Sequence, residues 1–240
     1  MFRILTVLFI ISFSNFAFGQ TLEEIVDTYV EKKGGKITLT RLNSMKEIKK
    51  VVTTDVTYQT TTIQKGPAYK STLNYEGIEI TACYDGSQGW ATNPITRKYE
   101  VLEKDDLGDM LNQIEDFPDP IFKSYRNQYE LTKGNDTLIN GRKCYEISIL
   151  KPDYVFMKNN IVGKKDFYID KENYQLVKSV EYNANGKLSI YYSDYKEIDG
   201  VQYPHTQKAE INGIPSYTST TESIELNKRI NSALFSLDRQ

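Results

Sequence analysis

From Lys46 onward, short runs in which Thr, Val, Ile and Tyr alternate with charged residues recur along the chain, and each is closed by a turn dipeptide. Gly66-Pro67, Glu76-Gly77, Asp85-Gly86, Asn93-Pro94, Asn140-Gly141, Asn185-Gly186, Asp199-Gly200 and Asn212-Gly213 mark these turns. Alternation with a period of two places one apolar face on a core. Asn-Gly and Asp-Gly pairs suit tight hairpins because both central residues need positive φ. The pattern predicts a long antiparallel meander of about ten or eleven strands, among them 78–84, 129–133, 144–150, 165–170, 176–182, 188–198, 201–211 and 217–226. In the run 78–84, Ile78, Ile80, Ala82 and Tyr84 are expected to face the core, with Glu79, Thr81 and Cys83 toward water.

Two helices interrupt this texture. Leu22, Ile25, Val26, Tyr29 and Val30 repeat at helical spacing behind Thr21 and Glu24, a capping box, and Gly34-Gly35 stops them. Leu107, Met110, Leu111, Ile114 and Phe117 form a second stripe, ended by Pro118-Asp119-Pro120. Asp105, Asp106, Asp109, Glu115 and Asp116 are read as the wet side of that helix. Ahead of both, Ile4 to Ile11 form an apolar block behind Arg3, followed by Ala17-Phe18-Gly19. The block is too short to span a membrane and reads as a secretory signal peptide cleaved after Gly19. Residues 20–240 are then expected as one exported, soluble, periplasmic domain, starting at Gln20 with no cysteine to acylate.

Charge and chemistry exclude more than they suggest. Thirty Lys and Arg against 32 Asp and Glu leave a net charge of -2 with no basic cluster, so no nucleic-acid partner is expected. His205 is the only histidine, which removes sites needing two imidazoles, and it is expected as a half-exposed strand residue. Gly86-Ser87-Gln88-Gly89 is a turn rather than a nucleophile elbow, and neither a dinucleotide fingerprint nor a P-loop is present. No cofactor, metal or catalytic residue is assigned. Cys83 and Cys144 permit one disulfide without requiring it, and both sit on the more polar side of their strand patterns.

The positive signal is aromatic and apolar. With 18 Tyr and 10 Phe, many in strands, a one-faced sheet covered by only two short helices either closes on itself or encloses space beneath a helical lid. An ordinary β core rich in Tyr remains the alternative.

Specific strings carry a resemblance. Tyr84-Asp85-Gly86-Ser87-Gln88-Gly89-Trp90, Asn93-Pro94-Ile95-Thr96, the segment from Asp194 to His205, the opening helix ending in Gly34-Gly35, and the closing Ile230-Asn231-Ser232-Ala233-Leu234-Phe235 resemble the outer-membrane lipoprotein-sorting (LolA/LolB-like) proteins of Bacteroidetes-type bacteria. The resemblance implies a mainly β (α+β) fold: an incomplete, strongly curved antiparallel β-barrel with short lid helices around a hydrophobic cavity. It also implies a non-catalytic carrier of lipid or lipoprotein acyl chains, a monomer served by delivery partners at the inner and outer membranes. On that reading Ile78, Ile80, Tyr84 and Trp90 are wall contacts, and Leu107, Met110, Leu111, Ile114 and Phe117 are lid contacts. A protein-interaction or sensing module on the same fold is the alternative, with a carboxylate-dependent hydrolase behind it.

Overall fold

The computed structural model describes residues 20–103, 106–127, 129–151, 163–183 and 186–237. The expected signal peptide, Asp105 and Asn185 lie outside the described residues. Helix α1 (Leu22–Lys33) forms where the capping box predicts it. Oγ1 of Thr21 accepts from the Glu24 amide at 3.2 Å, and the Glu24 carboxylate accepts from the Thr21 amide at 2.9 Å. Its apolar stripe, Ile25, Val26, Tyr29 and Val30, is buried. A short α2 (Lys36–Arg41) follows the Gly34 stop; six residues are too few for a periodic signal.

The sheet then runs through β1 (Ser44–Thr53), β2 (Thr57–Lys65), β3 (Ala68–Tyr75), β4 (Ile78–Tyr84), β5 (Gly89–Thr92) and β6 (Tyr99–Val101). After α3 (Gly108–Asp116) and α4 (Pro120–Arg126) come β7 (Glu130–Lys133), β8 (Thr137–Ile139), β9 (Arg142–Lys151), β10 (Gly163–Asp170), β11 (Leu176–Asn183), β12 (Gly186–Ile198), β13 (Val201–Ile211) and β14 (Ile214–Leu226). A 3₁₀ turn, Ser232–Phe235, closes the described chain. Among the described residues fourteen strands stand where about ten or eleven were predicted, because β5, β6 and β8 span only three or four residues and show no alternation of their own. The tight hairpins form as expected: both residues have positive φ at Glu76-Gly77, Asn140-Gly141, Asp199-Gly200 and Asn212-Gly213.

All pairings are antiparallel, in the order β6-β5-β4-β3-β2-β1-β14-β13-β12-β11-β10-β9-β7, with β8 beside β9. The sheet is not closed. Strands β6 and β7 follow one another in sequence yet occupy opposite edges, so the chain between them crosses the opening as α3 and α4. Helix α3 packs on β3 and on α4, α4 packs on β7 and β9, and α1 packs on α4 and β13. The expected incomplete, curved barrel with short helices across it is the architecture observed.

The Pro118-Asp119-Pro120 stop has a second role that the pattern did not show. Asp119 caps α4, accepting from the Ile121 and Phe122 amides at 3.0 Å each, with Pro120 at the first helical position. Ile121 and Phe122 join Ile25, Val26 and Tyr29 of α1 over Ile147, Ile149, Phe167, Ile169 and Val201, which form the main core.

Three expectations about faces need correction. On β4 the Thr81 and Cys83 side is the more deeply buried, at 6% and 0% exposure, while Ile78 is 40% exposed. The C-terminal turn covers that outer face, so Cys83 packs with Ala68, Trp90 and Phe235. Cys144 is equally buried, and both cysteines are free. Burial pushes the Cys83 thiol up to about 12 and raises that of Cys144. His205 is buried rather than half-exposed, with Nδ1 at 3.2 Å from the Tyr203 carbonyl.

Candidate functional site

The crossing helix α3 rests on a small apolar cluster detached from the main core. Leu107 and Met110 are buried against Tyr69 of β3, with Leu102, Leu111, Ile114, Ala82 and Tyr84 packed around them. The stripe predicted from spacing therefore lands on the inner face of the sheet. Beyond apolar contact, three polar ties hold α3. The buried Gln64 side chain of β2 donates to the Ile114 carbonyl at 3.2 Å. The Tyr129 hydroxyl donates to Glu115. Lys165 of β10 meets Asp116 at 3.0 Å and Glu181 at 2.8 Å. Glu115 and Asp116, expected on a wet face, thus reach across to the strands.

The structure brings Tyr84, Leu107, Met110, Leu111 and Ile114 together and places Ile80 on the same face of β4. It does not bring the other three to this cluster. Phe117 packs against the main core. Ile78 stands at the β3–β4 hairpin, largely exposed. Trp90 pairs with Cys83 in register and so lies on the opposite face. There its indole N–H donates to the Phe235 carbonyl at 3.3 Å, and Tyr99 meets its ring edge-on at 4.9 Å between centroids.

Residues paired directly across antiparallel strands share a face, so the register draws the floor beneath α3 row by row. One row is Tyr84, Tyr69, Gln64 and Met45; the next is Ala82, Ser71, Thr62 and Glu47; the third is Ile80, Leu73, Thr60 and Lys49. Apolar near α3, the floor turns polar toward β1. There Lys49 and Glu47 pair at 2.8 Å and the Thr221 hydroxyl donates to Glu47 at 3.2 Å. The sequence reading missed this polar strip because the run from Lys46 to Val52 mixes charge and Val on both faces.

One glycine sets how closely the start of α3 approaches β5. A Cβ on Gly89 would sit 2.1 Å from Cδ2 of Leu107, so the helix entrance is pressed on bare backbone. Gly89→Ala is expected to destabilise the fold by about 1–3 kcal/mol through overpacking. Hydrogen exchange across 107–116 should accelerate more than exchange in α1; equal protection would show that α3 does not depend on this contact.

Among the described residues, no group of three His, Cys, Asp or Glu side chains could hold a metal ion, and no helix is long and apolar enough to cross a membrane. Comparison with solved structures finds the same architecture. A LolA superfamily protein from Nitrosomonas europaea superposes with a TM-score of 0.61 at 13% identity, covering 92% of this chain and 100% of the other. A DUF1329 family protein from Desulfovibrio piger gives 0.60 at 11% identity, with 90% and 97% covered. A domain assigned to outer membrane lipoprotein sorting from Vibrio parahaemolyticus gives 0.59 at 14%, with 90% and 96% covered. No curated protein matches the chain. A family model described as an uncharacterized protein matches residues 83–239, from β4 through the closing turn. The chain belongs to that family, built on the fold that the LolA superfamily and lipoprotein-sorting structures share.

Proposed function

We propose that this protein is a non-catalytic carrier or binder of acyl chains, of lipid or of lipoprotein, exported to the periplasm and loaded between α3 and the inner face of the sheet. The observation that carries this reading is the crossing of an unclosed sheet by α3, held on a small apolar cluster separate from the main core. Such a segment is stabilised by few buried contacts and belongs to the part of a fold that opens first. Lifting it exposes Tyr69, Ala82, Tyr84, Met110 and Ile114 together. An acyl chain entering there gains roughly 0.8 kcal/mol per methylene removed from water, enough for transport without chemistry. The lipoprotein-sorting and LolA superfamily names of two structural relatives support an acyl cargo; on this reading a monomer receives it at the inner membrane and delivers it at the outer one.

Displacement of a fluorescent fatty acid tests it. The wild-type protein is expected to release the probe to competing lipid, and to carry lipid when isolated from its own compartment. Met110→Asp with Ile114→Asp should weaken probe binding at least tenfold while the main core stays folded. No probe binding by the wild type, with no co-purified lipid, would remove the carrier reading.

An open edge favours a second reading. Tyr99–Val101 of β6 are all exposed at the end of the sheet, where a partner strand could add. The Val101 amide faces the open edge, because the hydrogen-bonded pairs on the β5 side are Asn93/Lys98, Ala91/Glu100 and Gly89/Leu102, so Val101→Pro should abolish capture of such a partner and leave fatty-acid binding intact.

A further inference from the structure

At the far flank of the sheet from the α3 cluster lies a pocket of about 230 Å³. Tyr29, Lys32 and Lys33 of α1 line it together with the β10–β11 turn residues 173–176, Tyr195 of β12 and Gln202 of β13. Two lysines and no acidic residue are among the lining residues. We propose that this pocket binds a compact anionic phosphate group, with Lys33 as its principal contact.

Lys33 is the observation that points to a ligand. Its side chain is only 10% exposed, and its ammonium stands 3.7 Å from Asp119, beyond hydrogen-bond distance. Asp119 already accepts the Tyr29 hydroxyl at 2.6 Å and the Ile121 and Phe122 amides. The Tyr203 ring lies 5.0 Å from the same ammonium. Asp119 and Tyr203 thus fix the charge in place while its three N–H groups remain available to an acceptor. A buried cation so incompletely matched is stabilised by an arriving anion, and an ammonium serves phosphate as a point charge.

The remaining lining narrows the class. The Tyr195 hydroxyl is spent on the Leu176 carbonyl at 2.7 Å, as that of Tyr29 is on Asp119. The Asn173 and Gln202 amides each spend one N–H, on Gln175 at 3.3 Å and on Glu197 at 3.4 Å, so the donors left are Lys32 at the rim, the Gln175 amide and the second N–H of each of the other two. A pocket of about 230 Å³ has room for a phosphate and a short polyol. Burial lowers the Lys33 ammonium from its ordinary value while Asp119 opposes the shift, and a bound anion would act in the same sense as Asp119. The site shares no residue with the α3 cluster, so it stands independently of the carrier reading.

Isothermal titration of the full chain at low salt tests the proposal with two probes, glycerol 3-phosphate and dihexanoyl phosphatidylglycerol below its micellar concentration. Saturable one-to-one binding of either is expected, weakened at least tenfold by Lys33→Met and about threefold by Lys32→Ala. Glycerol 3-phosphate binding alone, or more tightly, assigns a free phosphate ester. Preference for the short lipid assigns a headgroup. Lys33→Met leaves Asp119 its three other donors, and its thermal transition reports whether it folds. Should it not fold, Lys32→Ala and Gln202→Leu decide the matter, since both side chains reach solvent. Absence of binding by both probes, or affinity unchanged in the folded variants, overturns the proposal. Fatty-acid displacement measured in parallel shows whether the acyl site stands or falls separately.

Discussion

Asp119→Ala is expected to lower the unfolding free energy by about 3–5 kcal/mol, the usual cost of stranding one partner of a buried pair. Asp119 is 3% exposed and ties α1 to α4 through three groups. It caps α4, accepts the Tyr29 hydroxyl of α1 at 2.6 Å, and faces the Lys33 ammonium. Removing it orphans a buried phenol, uncaps a helix and leaves a cation uncompensated. Asp119→Asn keeps one oxygen for the helix amides and places an N–H₂ opposite Tyr29, whose hydroxyl oxygen can accept from it, so it should lose less than the alanine variant while removing the charge. Urea denaturation near neutral pH is the measurement. A loss below about 1 kcal/mol for the alanine variant, the ordinary scale of an unremarkable substitution, would show that α1 and α4 are joined by apolar packing alone.

The second large effect is alkaline. Tyr29, Tyr192, Tyr195 and Tyr203 are raised above the ordinary value of 10.0, in every case chiefly because burial disfavours the phenolate. A folded-state value above the unfolded one means stability that is complete below the unfolded value and lost as pH rises through and beyond it. The phenol contribution should therefore be flat up to about pH 10 and then fall by about 1.4 kcal/mol per pH unit for each tyrosine ionised only in the unfolded chain. Lys33 acts in the opposite sense. Its ammonium is lowered by burial, so the cost of burying it fades as pH approaches the ordinary lysine value. With four phenols against one ammonium the net limb descends. Chemical denaturation at a series of pH values across the ordinary tyrosine value of about 10 checks this. Tyr192→Phe should soften the slope, and it frees only the Ser179 hydroxyl, 2.8 Å away. An unchanged slope in that variant would place the Tyr192 phenol in contact with solvent.

The free, buried thiols of Cys83 and Cys144 show how a strand pattern misleads. Alternation in 78–84 identified two faces correctly and assigned the wetter one wrongly. The Thr81–Cys83 side is covered by Phe235, whose carbonyl meets the Cys83 thiol at 3.4 Å from 152 residues further along the chain. Trp90 was misplaced for the same reason: its register with Cys83 carries it to the outer face. The stripe on α3 was placed well because a helix face is defined by neighbours three and four residues apart.

What could be read directly was what few residues decide among themselves. The Thr21–Glu24 box, the Asn-Gly and Asp-Gly hairpins and the apolar stripe from Leu107 to Ile114 each depend on contacts within one turn of chain, whose energies do not wait on the rest of the fold. The meander follows from those hairpins, since antiparallel neighbours need only tight turns. Which face of each strand is covered, and whether α3 meets Gly89, were settled by elements far apart in sequence. So was the meeting of Lys33 with Asp119 beside Tyr195 and Gln202. No local pattern encodes such meetings, because burial and charge pairing are set by whatever the curvature of the open sheet brings within a few ångströms.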